Sequence, residues 1–135
     1  MKNARLFLFG IALTTTTLLS SCNSCPFEGS QHGKVNHAVF VWLKKPGDAA
    51  DRPKLIDAAK MLKSKLPEVE TLTVGQMLPS KRPIVDSTYD VGFVMRFASQ
   101  SAMDRYEQSD VHQKAVKELL LPISKKVQVY DFVTE

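Results

Sequence analysis

Hydrophobic positions alternate with a period of two at the start of the folded part of the chain. Residues 34–43, KVNHAVFVWL, show this alternation, which is typical of a β-strand. One side of the predicted strand carries His37 among valines, and the other side carries Phe40 and Trp42. Both sides are mostly apolar, so the pattern predicts a strand with little exposed surface.

The hydrophobic period then changes to that of a helix. Asp51 and Pro53 mark a helix start, and Pro67 ends the helix. Its apolar stripe is formed by Leu55, Ile56, Ala59, Leu62 and Leu66. Two further strands are predicted at residues 70–78 and 88–97. The second of these has one strongly apolar face, formed by Tyr89, Val91, Phe93, Met95 and Phe97.

The last third of the chain repeats the helix and strand patterns. Ser99 or Ser101 can cap a helix that includes Tyr106, and the residues QSD at 108–110 interrupt it. A further helix is predicted at about 111–121 and a last strand at 125–133. The order βαββαβ predicts an α+β, ferredoxin-like fold, in which helices cover one face of a four-stranded antiparallel sheet.

The opposite face of that sheet needs a partner. Phe40 and Trp42 alternate out of phase with the residues that face the helices, so a single chain would leave large aromatic side chains in water. Two sheets packed back to back in a homodimer would cover them. We therefore predict that Phe40 and Trp42 lie in a dimer interface.

The first 33 residues have the pattern of an export signal and a tether. Lys2 and Arg5 precede an apolar run, which predicts a signal peptide over residues 1–21. The residues LSSC at 19–22 resemble the lipobox of bacterial lipoproteins, which implies that Cys22 is lipidated. Residues 22–33 are then a flexible tether, and residues 34–135 form the domain.

This pattern predicts a location in the cell envelope, held to a membrane by the lipid. Asn23 follows the cysteine instead of the aspartate associated with inner-membrane retention, so the outer membrane is preferred where one exists. The alternative interpretation of CNSC, Cys22 and Cys25 as a redox pair, lacks a surrounding βαβ pattern. The role of Cys25 stays open.

The charge and the motifs of the sequence do not support nucleic-acid binding, a metal site or a phosphate-binding loop. Removal of Lys2 and Arg5 with the signal leaves 16 basic and 14 acidic residues, a net charge of +2. The basic doublets lack interleaved aromatic residues, so no nucleic-acid partner is predicted. The chain has three histidines without metal-ligand spacing and no glycine-rich phosphate loop. We therefore predict no metal and no cofactor.

The domain as a whole resembles the stress-responsive dimeric α/β-barrel (Dabb) family. The resemblance rests on the order and spacing of VNHAVFVWLK, LPEVETLTVG, YDVGFVMRF, YEQSDVH and VQVYDF, and it covers nearly all of residues 34–135. It implies a ferredoxin-like subunit, a homodimer that closes a barrel, and a small cavity between helices and sheet. Related barrel families such as small monooxygenases share the fold but not this set of segments.

The family also implies three candidate site residues. Many members carry a Y-x-x-H-P-x-H pattern and a histidine on the first strand, which Tyr106, His112 and His37 match. Ser109 and Asp110 replace the inner His-Pro pair. In a plant polyketide cyclase of the family, the matched tyrosine and final histidine assist ring closure. That chemistry needs a base to take a carbon-bound proton and a donor to hold the enolate oxygen.

The sequence leaves the function open among three interpretations. The first is a protein that binds a small, partly apolar ligand. The second is a cyclase- or isomerase-like proton-transfer enzyme with His112 as base and Tyr106 as donor. The third is a dimeric interaction module in which His112 hydrogen-bonds to Asp110 or to backbone, and Tyr106 and His37 pack in the core. A serine-type triad of Ser109, Asp110 and His112 is disfavoured, because such triads are assembled across a fold.

The lipobox generates the first testable prediction. Labelled palmitate should enter the wild-type protein in a bacterial host and should not enter the Cys22→Ser variant, because only a thiol can form the thioether. Cys25→Ser serves as the control, and it should be labelled like the wild type. Labelling that persists in Cys22→Ser contradicts the assignment.

Overall fold

The sheet and its helices are formed by residues 32–135, the part of the chain that this computed structural model describes. The elements are β1 (Val35–Leu43), α1 (Asp51–Lys65), β2 (Val69–Gln76), β3 (Val91–Phe97), α2 (Gln100–Gln108), α3 (Asp110–Ala115), a π-helical turn (Val116–Leu120), α4 (Leu121–Ile123) and β4 (Ser124–Val133). The predictions for the signal peptide, Cys22 and Cys25 concern residues outside this part. Within it, no helix is long and apolar enough to cross a bilayer.

The sheet has the strand order β2-β3-β1-β4, and every neighbouring pair is antiparallel. Together with the helices after β1 and β3, this order confirms the predicted ferredoxin-like α+β fold. β1 is hydrogen-bonded along both edges, to β3 and to β4. β2 and β4 are the two edge strands of the sheet.

One face of the sheet packs against the helices. The residues of β1 that point toward the helices are Val35, His37, Val39, Val41 and Leu43, as the alternation predicts, and all are buried. Around Val35, the core includes Met95 and Phe97 from β3, Leu62 from α1 and Met103 from α2. Burial of such side chains is the main stabilising contribution to a domain of this size.

Tyr89 does not lie on the face predicted for it. Its ring contacts Phe40 and Trp42 on the helix-free face, with centroid distances of 5.0 and 6.2 Å. Regular pairing of β3 begins only at Val91, so the alternation does not extend back to Tyr89. The carboxylate of Asp90 is instead buried, where it accepts the backbone N–H groups of Leu43 and Gly47 at 2.8 and 2.6 Å.

Trp42 is covered by its own chain. Its side chain is buried, its indole N–H donates to Thr88 Oγ1 at 2.8 Å, and the Lys126 ammonium lies 4.1 Å from the ring centroid. The expectation that burial of Trp42 requires a partner was therefore wrong, because the connection before β3 reaches over the ring. The place of Phe40 and Trp42 in a dimer interface stays a prediction.

Other aromatic residues on the helix-free face remain exposed. Phe40 is half-buried, and its ring lies 6.3 Å from that of Tyr130. Tyr130 and Phe132 on β4 are 57% and 53% exposed. They lie opposite Ala38 and Asn36 of β1, which places them on the same helix-free face. The helix-free face thus has the exposed apolar surface that was predicted from Phe40 and Trp42, but Tyr130 and Phe132 on β4 contribute most of it.

The helix predicted for residues 111–121 begins and ends close to its predicted bounds but changes type within. α3 leads into the π-helical turn, in which the Leu121 N–H bonds to the Val116 carbonyl, five residues back. Pro122 lies just beyond the π-helical turn, and without an N–H it cannot continue the regular helical hydrogen bonds at this end of the helix. Such π-helical turns are frequent at functional sites because they shift side chains out of regular helical positions.

Candidate ligand-binding site

A cavity of about 430 Å³ lies between the helices and the sheet. Its walls are mostly aliphatic, and three alanines help to make the space. Ala58 and Ala59 come from α1 and Ala115 from α3. The remaining apolar walls include Val39, Leu55, Leu62, Phe93, Val116, Leu119, Leu120 and Val127. Val116, Leu119 and Leu120 belong to the π-helical turn, and Val127 belongs to β4. The irregular end of the helix therefore shapes one side of the cavity.

Tyr106 from α2 is the most buried polar residue of the cavity wall. It is 1% exposed, and its ring packs 5.0 Å from that of Phe97 and 4.4 Å from that of His112. Within residues 32–135 its hydroxyl has no hydrogen-bond partner. Burial, with a smaller contribution from the charge of Glu107, raises the pKa of Tyr106 far above its usual range. The hydroxyl therefore stays protonated and can act as a donor.

His112 is held in place by its own helix start. Ser109 caps α3, because its Oγ accepts the His112 backbone N–H at 3.2 Å. The His112 Nδ1 lies 3.1 Å from the Glu107 carbonyl oxygen, which can only accept a hydrogen bond. We therefore assign the proton to Nδ1, which leaves Nε2 as the ring nitrogen with a free lone pair.

The electrostatics of the site keep His112 neutral. Burial lowers the pKa of His112 below its ordinary value of 6.5, and the Glu107 carbonyl and carboxylate oppose this in part. His37 adds a small effect in the same direction as burial. A neutral imidazole whose ring lies 4.4 Å from that of a protonated phenol gives the cavity wall one acceptor and one donor.

His37 is the third predicted site residue, and it faces the same cavity from β1. Its Nδ1 donates to Asp131 Oδ1 at 2.7 Å, and its ring lies 6.2 Å from that of Tyr106. Asp131 was not predicted as a site residue from the sequence. The signal that could have revealed it is the pairing of the first and last strands, because Asp131 lies directly opposite His37 in β4.

The structure thus brings Tyr106, His112 and His37 to one cavity, although their catalytic roles stay predictions. The backbone alternative for His112 is found, since its Nδ1 bonds to a carbonyl and not to Asp110. Ser109 serves as a cap and donates its hydroxyl to the Tyr106 carbonyl at 2.7 Å. Among the described residues no group of three histidine, cysteine or acidic side chains is arranged to hold a metal.

Comparison with known proteins places this domain in a family. The profile of the stress-responsive A/B barrel domain, Dabb, matches residues 35–134. The chain belongs to the Dabb family. No curated protein sequence matches it.

Solved structures agree with this Dabb assignment. A Dabb family protein of ferredoxin-like fold from Mesorhizobium loti is 28% identical, with a TM-score of 0.63 over 77% of this chain and 99% of that chain. A dimeric ferredoxin-like protein of unknown function from Bacteroides fragilis has a TM-score of 0.63 at 16% identity, over 78% of this chain and 100% of that chain. A hydroxynitrile lyase from Passiflora edulis has a TM-score of 0.68 at 18% identity, over 78% and 96%. The last two likenesses show the fold alone.

The lowered pKa of His112 predicts a pH dependence of stability in this Dabb domain. Unfolded chains take up a proton on this histidine near pH 6.5, whereas the folded state resists protonation until lower pH. The free energy of unfolding should therefore fall as the pH drops below 6.5. In His112→Gln this part of the slope should disappear, as measured by denaturant titrations between pH 7 and pH 5. An unchanged slope in His112→Gln would show that other groups cause it.

Proposed function

We propose that the protein binds a small, mostly apolar molecule in the cavity between the helices and the sheet. The observation that carries this proposal is the combination of aliphatic walls with two polar atoms that lack partners in the described chain. These are the Tyr106 hydroxyl and the His112 Nε2. Ligand pockets commonly show this composition, with apolar walls for affinity and a few polar groups for orientation.

The size of the cavity supports a small organic ligand. Its volume of about 430 Å³ lies within the range of roughly 300–1,000 Å³ that is typical of ligand pockets. Each methylene group transferred from water to such walls contributes about 0.8 kcal/mol. A ligand with several apolar carbons can therefore bind without any ionic contact.

A second candidate function is proton-transfer catalysis at the same site. It is favoured by the neutral His112 ring lying 4.4 Å from the ring of Tyr106. In such a reaction His112 Nε2 takes a proton from the substrate and becomes an imidazolium. The Tyr106 hydroxyl donates a hydrogen bond to the oxygen on which negative charge develops. The hydroxynitrile lyase from Passiflora edulis is a fold neighbour, which supports the capacity of this fold to carry an enzyme.

Retention of ligand on the folded protein tests the proposed cavity. Native mass spectrometry of gently purified protein should detect a bound small molecule on the wild type. Ala58→Phe, which fills part of the cavity from α1, should lose it while keeping the melting temperature within a few degrees. Ala49→Phe, in the exposed loop before α1, is the matched control and should retain the ligand.

The same measurement on Tyr106→Phe and His112→Ala separates the site from a structural role. Under the binding hypothesis both variants weaken ligand retention and leave the melting temperature nearly unchanged, because their polar atoms contribute little to the core. If the residues are structural, His112→Ala destabilises the domain by about 1–3 kcal/mol and the folded fraction still holds the ligand. That second result would contradict the proposal.

We further propose that the protein is a homodimer, held to the cell envelope by a lipid on Cys22. The dimer is supported by the exposed Tyr130 and Phe132 on the helix-free face and by fold neighbours described as dimeric. The membrane location rests on the sequence pattern alone, and the outer membrane is preferred because Asn23 follows the cysteine. An interaction module without catalysis is the remaining alternative for such a dimer.

The oligomeric state of surface variants tests the dimer. Replacing both Tyr130 and Phe132 by serine removes apolar area that is more than half exposed in the single chain, so the chain should fold and become monomeric. Multi-angle light scattering gives the mass. Ile84→Ser, at an 85% exposed site in the connection between β2 and β3, is the control and should stay dimeric. A dimeric Tyr130/Phe132 variant would place the interface elsewhere.

A further inference from the structure

The side chains around the cavity provide no unbalanced positive charge. Among the cavity-lining residues of the described chain, Glu107 is the one acidic residue. Lysine and arginine are absent from this set. An anionic group that leaves water for such a cavity loses its hydration without gaining a cationic partner, which is strongly unfavourable.

The pairing of His37 with Asp131 does not change this balance. With a neutral imidazole the pair carries one negative charge, and with a protonated imidazole it carries none. A net positive charge would require protonation of the carboxylate as well. His37 therefore cannot serve as a free cation for an anionic ligand while Asp131 stays ionised.

Glu107 lines the cavity beside both polar residues: it follows Tyr106 in α2, and its carbonyl oxygen lies 3.1 Å from His112 Nδ1. Its charge also contributes to the raised pKa of Tyr106 and opposes the lowering of the pKa of His112. Glu107 is itself exposed, next to Tyr106 at the end of α2. It thus adds a negative potential to the part of the cavity wall that Tyr106 and His112 form.

We propose that Glu107 makes the cavity selective for neutral ligands and against carboxylates, sulfonates and phosphate esters. This proposal rests on the binding function proposed above and specifies its ligand class. An anionic group in this cavity would lie near a carboxylate, and no lysine or arginine of the wall could pair with it.

Two dyes that differ by one charge test the selectivity. N-phenyl-1-naphthylamine is neutral, and 1-anilinonaphthalene-8-sulfonate has the same ring skeleton with a sulfonate added. In Glu107→Gln the affinity for the sulfonate dye should rise roughly three- to ten-fold, as expected for removing one nearby charge in a partly aqueous setting. The affinity for the neutral dye should stay the same, and the gain should shrink at high salt.

Matched variants assign the effect to this position. Glu118→Gln removes an equally negative side chain that lies on the π-helical turn, pairs with Lys114 and does not line the cavity. It should change neither affinity. Ala58→Phe should weaken both dyes, which places them in the cavity. Melting temperatures confirm that every variant is folded.

The outcomes separate the selectivity from the binding function. Equal gains for both dyes in Glu107→Gln, or no gain for the sulfonate dye, would overturn the role of Glu107 while leaving the cavity as a binding site. A neutral dye that fails to bind the wild type, or binds Ala58→Phe equally well, would count against the cavity itself. The selectivity proposal would then fall with it.

Discussion

The hydrogen bonds along both edges of β1 determine which residues can form the site. They fix His37 opposite Met95 on β3 and opposite Asp131 on β4. A slip of one residue would exchange the two faces of the strand, so that Phe40 and Trp42 would point toward the helices and His37 away from them. The imidazole–carboxylate pair and the apolar wall beneath the cavity are thus consequences of one register. Burial of the valines on the same face stabilises that register.

A second local constraint brings Tyr106 and His112 together. Six residues on one continuous helix would place their side chains about 120° apart around the axis. Ser109 interrupts the helix with an extended backbone, accepts the His112 N–H and donates to the Tyr106 carbonyl. The two rings consequently lie 4.4 Å apart. The serine at this position, where many family members have histidine, therefore has a structural role that keeps the geometry of the pair without a third imidazole.

The order of elements and the helix-facing residues could be predicted because they depend on periodicity and on local caps. Tyr89 could not be placed by alternation, since Asp90, just before β3, accepts the backbone N–H groups of Leu43 at the end of β1 and of Gly47 in the loop that follows. The burial of Trp42 within its own chain could not be predicted for a related reason. Thr88 and Lys126, which cover its ring, are 46 and 84 positions away in the sequence. Asp131 required the register of β1 with β4. The π-helical turn has no sequence signal comparable to a cap, so its contribution to the cavity wall emerges only in three dimensions.

The hydroxyl of Tyr106 bears most directly on the choice between a binding site and a packed core. A phenylalanine would fill the same space between Phe97 and His112 and would leave no polar atom without a partner. The oxygen is not among the fully enclosed side-chain atoms of the described residues that lack a partner, so it is open to the cavity. The aromatic contacts account for the ring but not for the oxygen, and the described chain supplies that oxygen with no acceptor. A ligand oxygen at this position would provide the acceptor. The largely apolar walls would then strengthen this hydrogen bond to the ligand, because water competes less in a site of low dielectric constant.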